Sequence, residues 1–385
     1  MNKWSKTTLG DICIDISYGY TASAKVEPVG PKFLRITDIV PNRINWENVP
    51  YCDADSQIFE KYKLENGDIV IARTGATTGY NKIIKEINFN AVFASYLIRY
   101  KVDTNKAYPF FIGYILQSSN WYDYVDAIIG GSAQPGANAK QFRSYEILLP
   151  PLAEQRAIAS VLSSLDDKID LLQRQNKTLE AMAETLYRQW FVEEASEDWE
   201  EILLKDIYMF DKGFEPGSRN YLEKKEADSI RFIRVGDMLD PKASTYIKKE
   251  PGQITCGKKD LLVSFDGTIG RVSFGIEGAY SSGIRKVYSL DPIYNSLGLK
   301  YLLFTSREIQ DVIKSHSSGT VIAHAGSSID YLTFRFPKKN RLQEFNQITD
   351  PMFFKITKNL NQIETLEKLR NALLPKLISG EVRVI

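Results

Sequence analysis

The stretch Ile158-Ala159-Ser160-Val161-Leu162-Ser163-Ser164-Leu165-Asp166-Asp167-Lys168-Ile169-Asp170-Leu171-Leu172 spaces its apolar seam residues by four and three. The spacing continues through Asn176, Leu179, Ala183, Leu186 and Trp190. It predicts one helix from about Leu152, roughly 60 Å long at ~1.5 Å per residue, with a coiled-coil seam. A second run repeats the pattern: Phe345, Thr349, Met352, Ile356, Asn359, Ile363, Leu366, Arg370, Leu373 and Leu377. The two asparagines, Asn176 and Asn359, fit polar seam residues that fix register at a cost in stability. Pro351 lacks a backbone donor, so the second helix is expected to start or kink there, capped by Thr349 or Asp350.

Working outward, Tyr114 to Trp190 can be laid on Tyr301 to Leu377 at a constant offset of 187 residues. With gaps the match reaches back to Trp4 with Trp199, Phe33-Leu34-Arg35-Ile36 with Phe232-Ile233-Arg234-Val235, and Gly67–Ile71 with Lys259–Val263. A duplication of this size means two similar modules with an approximate two-fold axis, which a partner or ligand should share. Each module alternates short β-rich runs with turns: Lys32–Ile39, Asp68–Ala72 and Ala94–Lys101 in the first, Ile230–Met238, Asp260–Phe265 and Arg285–Leu290 in the second. A helix follows near Pro109–Gln117 or Leu297–Ser306, so the fold class is α+β. The expected divisions are 1–150, a first globular domain; 151–195, a central helix; 196–337, a second globular domain; and 338–385, a C-terminal helix. The polar loops Gly130–Gln141 and Ser317–Ser328 close the modules and are natural functional positions.

Composition bounds the chemistry. The 385 residues are 43% hydrophobic and 12% aromatic, ample for packed cores. No apolar run approaches a membrane span and no secretory leader is evident, so a cytoplasmic protein is expected. Cys13, Cys52 and Cys256 are too scattered for a disulfide framework or a zinc knuckle. The net charge is only +1, but residues 151–198 carry −5 and residues 338–385 carry +4. Such helices attract each other and resist pairing with copies of themselves.

Catalytic patterns fail one by one. Gly252 to Lys258 has the spacing of a P-loop, but Lys259 follows where Ser or Thr must hold magnesium. The run Thr74-Gly75-Ala76-Thr77-Thr78-Gly79 reads as a tight turn or as a turn facing a DNA backbone. The two histidines, His316 and His324, share one loop and offer neither a triad nor a metal set. Pro150-Pro151 lies between leucines, not in the motif of an amino-methyltransferase. No catalytic residue, cofactor or metal site is expected in this chain.

What remains is a two-headed binding protein. Candidate DNA contacts in the first module are Tyr18, Tyr20, Lys25, Arg73, Thr74, Thr77, Tyr80, Asn81, Lys82, Gln134, Asn138 and Lys140. In the second they are Lys212, Arg219, Asn220, Tyr221, Arg271, Arg285 and Lys286. Arg and Asn can read guanine and adenine edges, while Lys, Ser and Thr anchor phosphates. Arg35 and Arg234 read equally as DNA contacts or as ion-pair members. The rival class is a non-enzymatic coiled-coil scaffold with two heads for protein or carbohydrate, whose binding would not show the steep salt dependence of DNA.

Several segments resemble the specificity subunits of type I restriction-modification enzymes: Phe33–Ile39, Asn66–Gly79, Leu149-Pro150-Pro151-Leu152-Ala153-Glu154-Gln155, Thr185–Val192 and Leu373–Val382. The second copy departs from the first, with Pro337-Lys338-Lys339-Asn340 and Phe265-Asp266-Gly267 replacing Pro150-Pro151-Leu152-Ala153 and Arg73-Thr74-Gly75. The resemblance implies two target-recognition domains, each reading half of a split double-stranded DNA sequence. It also implies an antiparallel coiled coil that sets the gap between the half-sites. The implied partners are two methyltransferase subunits using S-adenosylmethionine and, in the restriction form, translocase-nuclease subunits using ATP with magnesium. Trp190 and Phe191 beside the seam are candidates for docking or for core packing.

Overall fold

The computed structural model describes residues 4–41, 43–130, 136–240, 245–316 and 324–384. The chain divides into two compact units: Met1–Lys168 with Leu366–Ile385, and Ile169–Thr365.

In the first unit, β1 (Ser5–Thr8) pairs antiparallel with β8 (Glu146–Leu149). A four-stranded antiparallel sheet follows the order β2 (Cys13–Tyr18), β7 (Leu97–Val102), β4 (Ile69–Ala72) and β5 (Asn81–Ile83). A parallel pair joins β3 (Lys32–Leu34) to β6 (Ala91–Phe93). The second unit repeats the plan. Strand β9 (Glu200–Leu203) pairs with β18 (Thr333–Phe336), and the larger sheet runs β10 (Met209–Lys212), β17 (Ile284–Tyr288), β14 (Leu261–Ser264), β15 (Val272–Ser273). Its parallel pair, β11 (Ser229–Ile233) with β16 (Gly278–Tyr280), is flanked by β12 (Tyr246–Lys248) and β13 (Thr255–Cys256). The fold is α+β, with helices Pro109–Ile115 and Ser119–Ile129 in one unit and Leu297–Thr305 and Arg307–Ser315 in the other.

Two long helices, a central one at Leu152–Arg188 and a C-terminal one at Lys339–Ser379, contribute a segment to each unit. In the first unit Asp166 accepts from Arg370 at 3.0 Å while Glu154 accepts from Arg383, so the paired segments run antiparallel. In the second, the Asn359 amide donates to Asn176 Oδ1 at 2.8 Å and the Phe191 and Phe345 rings meet at 4.8 Å, the same sense. Ile158, Leu162 and Leu377 close the first core; Ala183, Tyr187, Phe345 and Ile356 close the second. Burying an aromatic or branched side chain contributes about 1.5–3 kcal/mol, which is why these short segments hold together.

Pro351 does not start its helix, which runs from Lys339 to Ser379, so the start expected there from sequence is overturned. Its neighbours explain the tolerance: Thr349, Phe353 and Ile356 are fully buried, outweighing the ~3 kcal/mol a helix-interior proline costs. Asp350 caps nothing there; it accepts from Ser296 Oγ at 2.5 Å, at the start of the helix Leu297–Thr305.

Candidate nucleic-acid interface

One network of backbone hydrogen bonds is repeated in both units and fixes one edge of each. In the first unit Gly19 donates to Leu97 O, Tyr20 to Phe93 O, Arg73 to Tyr96 O, and Ala137 to Arg73 O. In the second, Gly213 donates to Ile284 O, Phe214 to Tyr280 O, Phe265 to Gly283 O, and Ala325 to Phe265 O. Gly19 and Gly213 are obligatory, because a Cβ would lie 2.3 Å from Ala94 O in one and 2.2 Å from Ser281 O in the other. These bonds set the equivalences. Tyr18 matches Lys212, Arg73 matches Phe265, Thr74 matches Asp266, Tyr96 matches Gly283, and Gly136 matches His324. In this loop the offset is 188, one more than the constant value read from the sequence.

On that frame the first unit gathers Tyr18, Arg73, Thr74, Asn138 and Lys140. The Arg73 guanidinium lies 5.1 Å from the Tyr18 ring centroid, and the Tyr18 hydroxyl accepts from Ala139 N at 3.0 Å. Thr74 bridges to Gly136, Asn138 caps the short helix Ala139–Arg143, and Lys140 is exposed on it. Tyr96, 58% exposed beside Arg73, belongs to this edge and was missed; only the bond from Arg73 N reveals it. Thr77 sits in the turn Gly75–Thr77, and Tyr80 is exposed against Tyr122. Lys82 is half-buried on β5, and Gln134 lies outside the described residues.

Other candidates are committed elsewhere. Asn81 is buried and its amide donates to Gly79 O and Leu116 O. Tyr20 packs on Tyr62, and Lys25 pairs with Asp53 at 2.5 Å, a hydrogen bond that raises the lysine pKa. In the second unit Arg285 is buried, which lowers its pKa, and it donates to Ser282 O and Ile284 O. Arg271 is tied to Val235 O, Lys286 approaches Asp211 at 3.9 Å, and Tyr221 packs on Phe232. Asn220 donates to Pro216 O, which leaves Lys212 and Arg219 as exposed bases. Asp266 holds His324 Nδ1 at 2.8 Å on this edge.

Arg35 and Arg234 are ion-pair members. Each chelates the aspartate three residues on, Asp38 or Asp237, through Nε and Nη2. In the Gly252–Lys258 segment the lysine is engaged elsewhere, with Lys258 reaching Glu364 at 2.6 Å and Asn361 at 2.8 Å. Phe191 is buried in the second core, and the half-buried Trp190 packs on Phe345. No metal-ligating cluster occurs among the described residues.

Residues 1–181 match the family described as type I restriction modification DNA specificity domain. The type I restriction enzyme MjaIX specificity subunit of Methanocaldococcus jannaschii is 27% identical, over 83% of this chain and 76% of that one. A putative MjaX specificity subunit from the same organism is 24% identical over 99% of this chain and 94% of its own. The crystal structure of the type I restriction-modification S subunit from M. genitalium shares the fold, with a TM-score of 0.62 at 17% identity over 98% of this chain and 96% of that one. In sequence along most of its length and in fold, the chain is similar to the specificity subunits of type I restriction-modification enzymes.

Proposed function

We propose that this chain is the sequence-reading subunit of a type I restriction-modification complex, each globular module reading one half of a bipartite double-stranded DNA target. The observation that supports this is the repeated backbone frame with unlike side chains upon it. Tyr18, Arg73 and Tyr96 in one unit stand where Lys212, Phe265 and Gly283 stand in the other. A common frame that displays different hydrogen-bonding groups suits two readers of different half-sites.

The helix pair sets the spacer and docks two methyltransferase subunits, with translocase-nuclease subunits added in a restriction complex. The chain does no chemistry of its own; the partners supply S-adenosylmethionine for methyl transfer, and ATP with magnesium for translocation. The reading is of a cytoplasmic assembly, and no helix among the described residues is long and apolar enough to cross a membrane.

The experiment is to map methylated bases in a genome expressing this chain with the methyltransferase encoded beside it. A bipartite motif with a fixed spacer is expected, and replacing residues 1–150 with a relative's module should change one half only. Both halves changing together would overturn the reading.

A further inference from the structure

We propose that Arg73 reads a guanine in the half-site of the first module, with Tyr18 as its positioning residue; the inference rests on the two-reader function above. Arg73 is anchored at three points before any ligand arrives. Its backbone N donates to Tyr96 O at 3.1 Å, its backbone O accepts from Ala137 N at 2.9 Å, and its Nε donates to Ser95 O at 3.1 Å. The guanidinium carbon then lies over the Tyr18 ring, 5.1 Å from its centroid, and the ring is itself pinned by the bond from Ala139 N.

With Nε engaged and an aromatic ring beneath the guanidinium carbon, the group has fewer positions open to it than an unrestrained arginine samples. Its two Nη groups remain as a side-by-side pair of donors, and no acceptor among the described residues takes either. Guanine presents O6 and N7 as a matching pair of acceptors in the major groove, and adenine, cytosine and thymine do not. Pre-orientation favours the bidentate contact because little rotamer entropy is left to lose on binding.

The second module cannot make the same contact. Phe265, fully buried, holds the position of Arg73, and Lys212 holds that of Tyr18. The guanine requirement therefore belongs to one half-site. A phosphate contact, the other use of an arginine at a DNA surface, would on mutation weaken binding without altering the sequence read.

The test uses the assembled complex with its methyltransferase subunits. First, methylated sites are mapped for the parent, R73K and R73Q. The expected result is loss of one guanine requirement in one half-site with the other half unchanged; an unchanged motif with uniformly weaker binding would overturn the inference. Second, the parent complex is titrated against duplexes carrying 7-deazaguanine at each guanine of that half-site in turn, a probe needing no altered protein. One position should lose about tenfold or more in affinity. If none does, Arg73 reads no guanine N7 and the inference falls. Should the parent methylate no bipartite motif, the two-reader function itself fails.

Discussion

Glu154 and Arg341 each stand third in their long helix, at equivalent positions in the two copies, and they carry opposite charges. Each finds its counter-charge on the far tail of the other helix. Glu154 takes a two-pronged bond from Arg383, at 2.8 and 2.6 Å, while Arg341 donates to Glu194. The polarity of the clasp is thus reversed between units. A chain assembled from two first halves would set Glu154 against the acidic tail Glu193–Glu194, and one from two second halves would set Arg341 against Arg383.

The clasp is testable by a double-mutant cycle. E154R alone places two guanidiniums face to face, and R383E alone two carboxylates; each should lower the unfolding free energy. E154R with R383E should recover most of that loss in chemical denaturation. Additive losses would mean the pair is not coupled.

The same pair predicts an acid-side signature. The hydrogen bond from Arg383 holds the Glu154 carboxyl below its ordinary value of 4.5. Because the folded value is depressed, the stabilisation is present above 4.5 and is lost as pH falls through the folded value. E154Q should therefore be less stable than the parent above about pH 4.5, where the pair is charged, and the gap should close as pH falls below it. Parallel thermal melts across that range check it.

Asn176 and Asn359 make a second heterologous contact. By the 187-residue offset Asn176 matches Ile363 and Asn359 matches Leu172, so the two asparagines face each other only when unlike helices pair. N176L alone strands a buried amide and should cost about 1–3 kcal/mol. The double variant N176L/N359L should melt at least as high as the parent, yet yield more mixed oligomers by sedimentation. A double variant that melts lower would remove the register-fixing role.

Spacer length offers a fourth check. Four residues inserted after Gln173 and four after Asn361 lengthen both helices by ~6 Å while keeping the apolar face inward. At ~3.4 Å per base pair the unspecified spacer should grow by one or two base pairs, with both half-sites retained. Methylation mapping of the variant decides, and an unchanged spacer with full activity would exclude the helices as its ruler.

The long helices were legible because heptad spacing is a local property, and the duplication showed that whatever fold one module has the other shares. Pro351 misled as a helix start because the packing around Thr349 and Phe353 is a tertiary fact. The helices Ser119–Ile129 and Arg307–Ser315 were overlooked although Ser118 and Ser306 cap them, a signal present in the sequence. At the interface, residue type could not separate Arg73 from Arg285 or Tyr80 from Asn81. Burial does so, and strand pairing distant in sequence decides it. Asp166 with Arg370 and Tyr114 likewise form a polar layer where the other copy has Phe353, Ala183 and Tyr301, a contrast seen only when the helices are placed side by side.

The network that fixes this edge in each unit is made of main-chain groups, and glycines 19 and 213 are its only compulsory side-chain choices named above. Replacing Arg73, Tyr18 or Tyr96 leaves those main-chain bonds standing, so most exchanges there should be nearly neutral for folding. On the reading proposed above, a lineage can therefore alter which DNA it marks through one or two viable steps, without passing through an unfolded ancestor. Target choice is the trait this architecture leaves freest to drift.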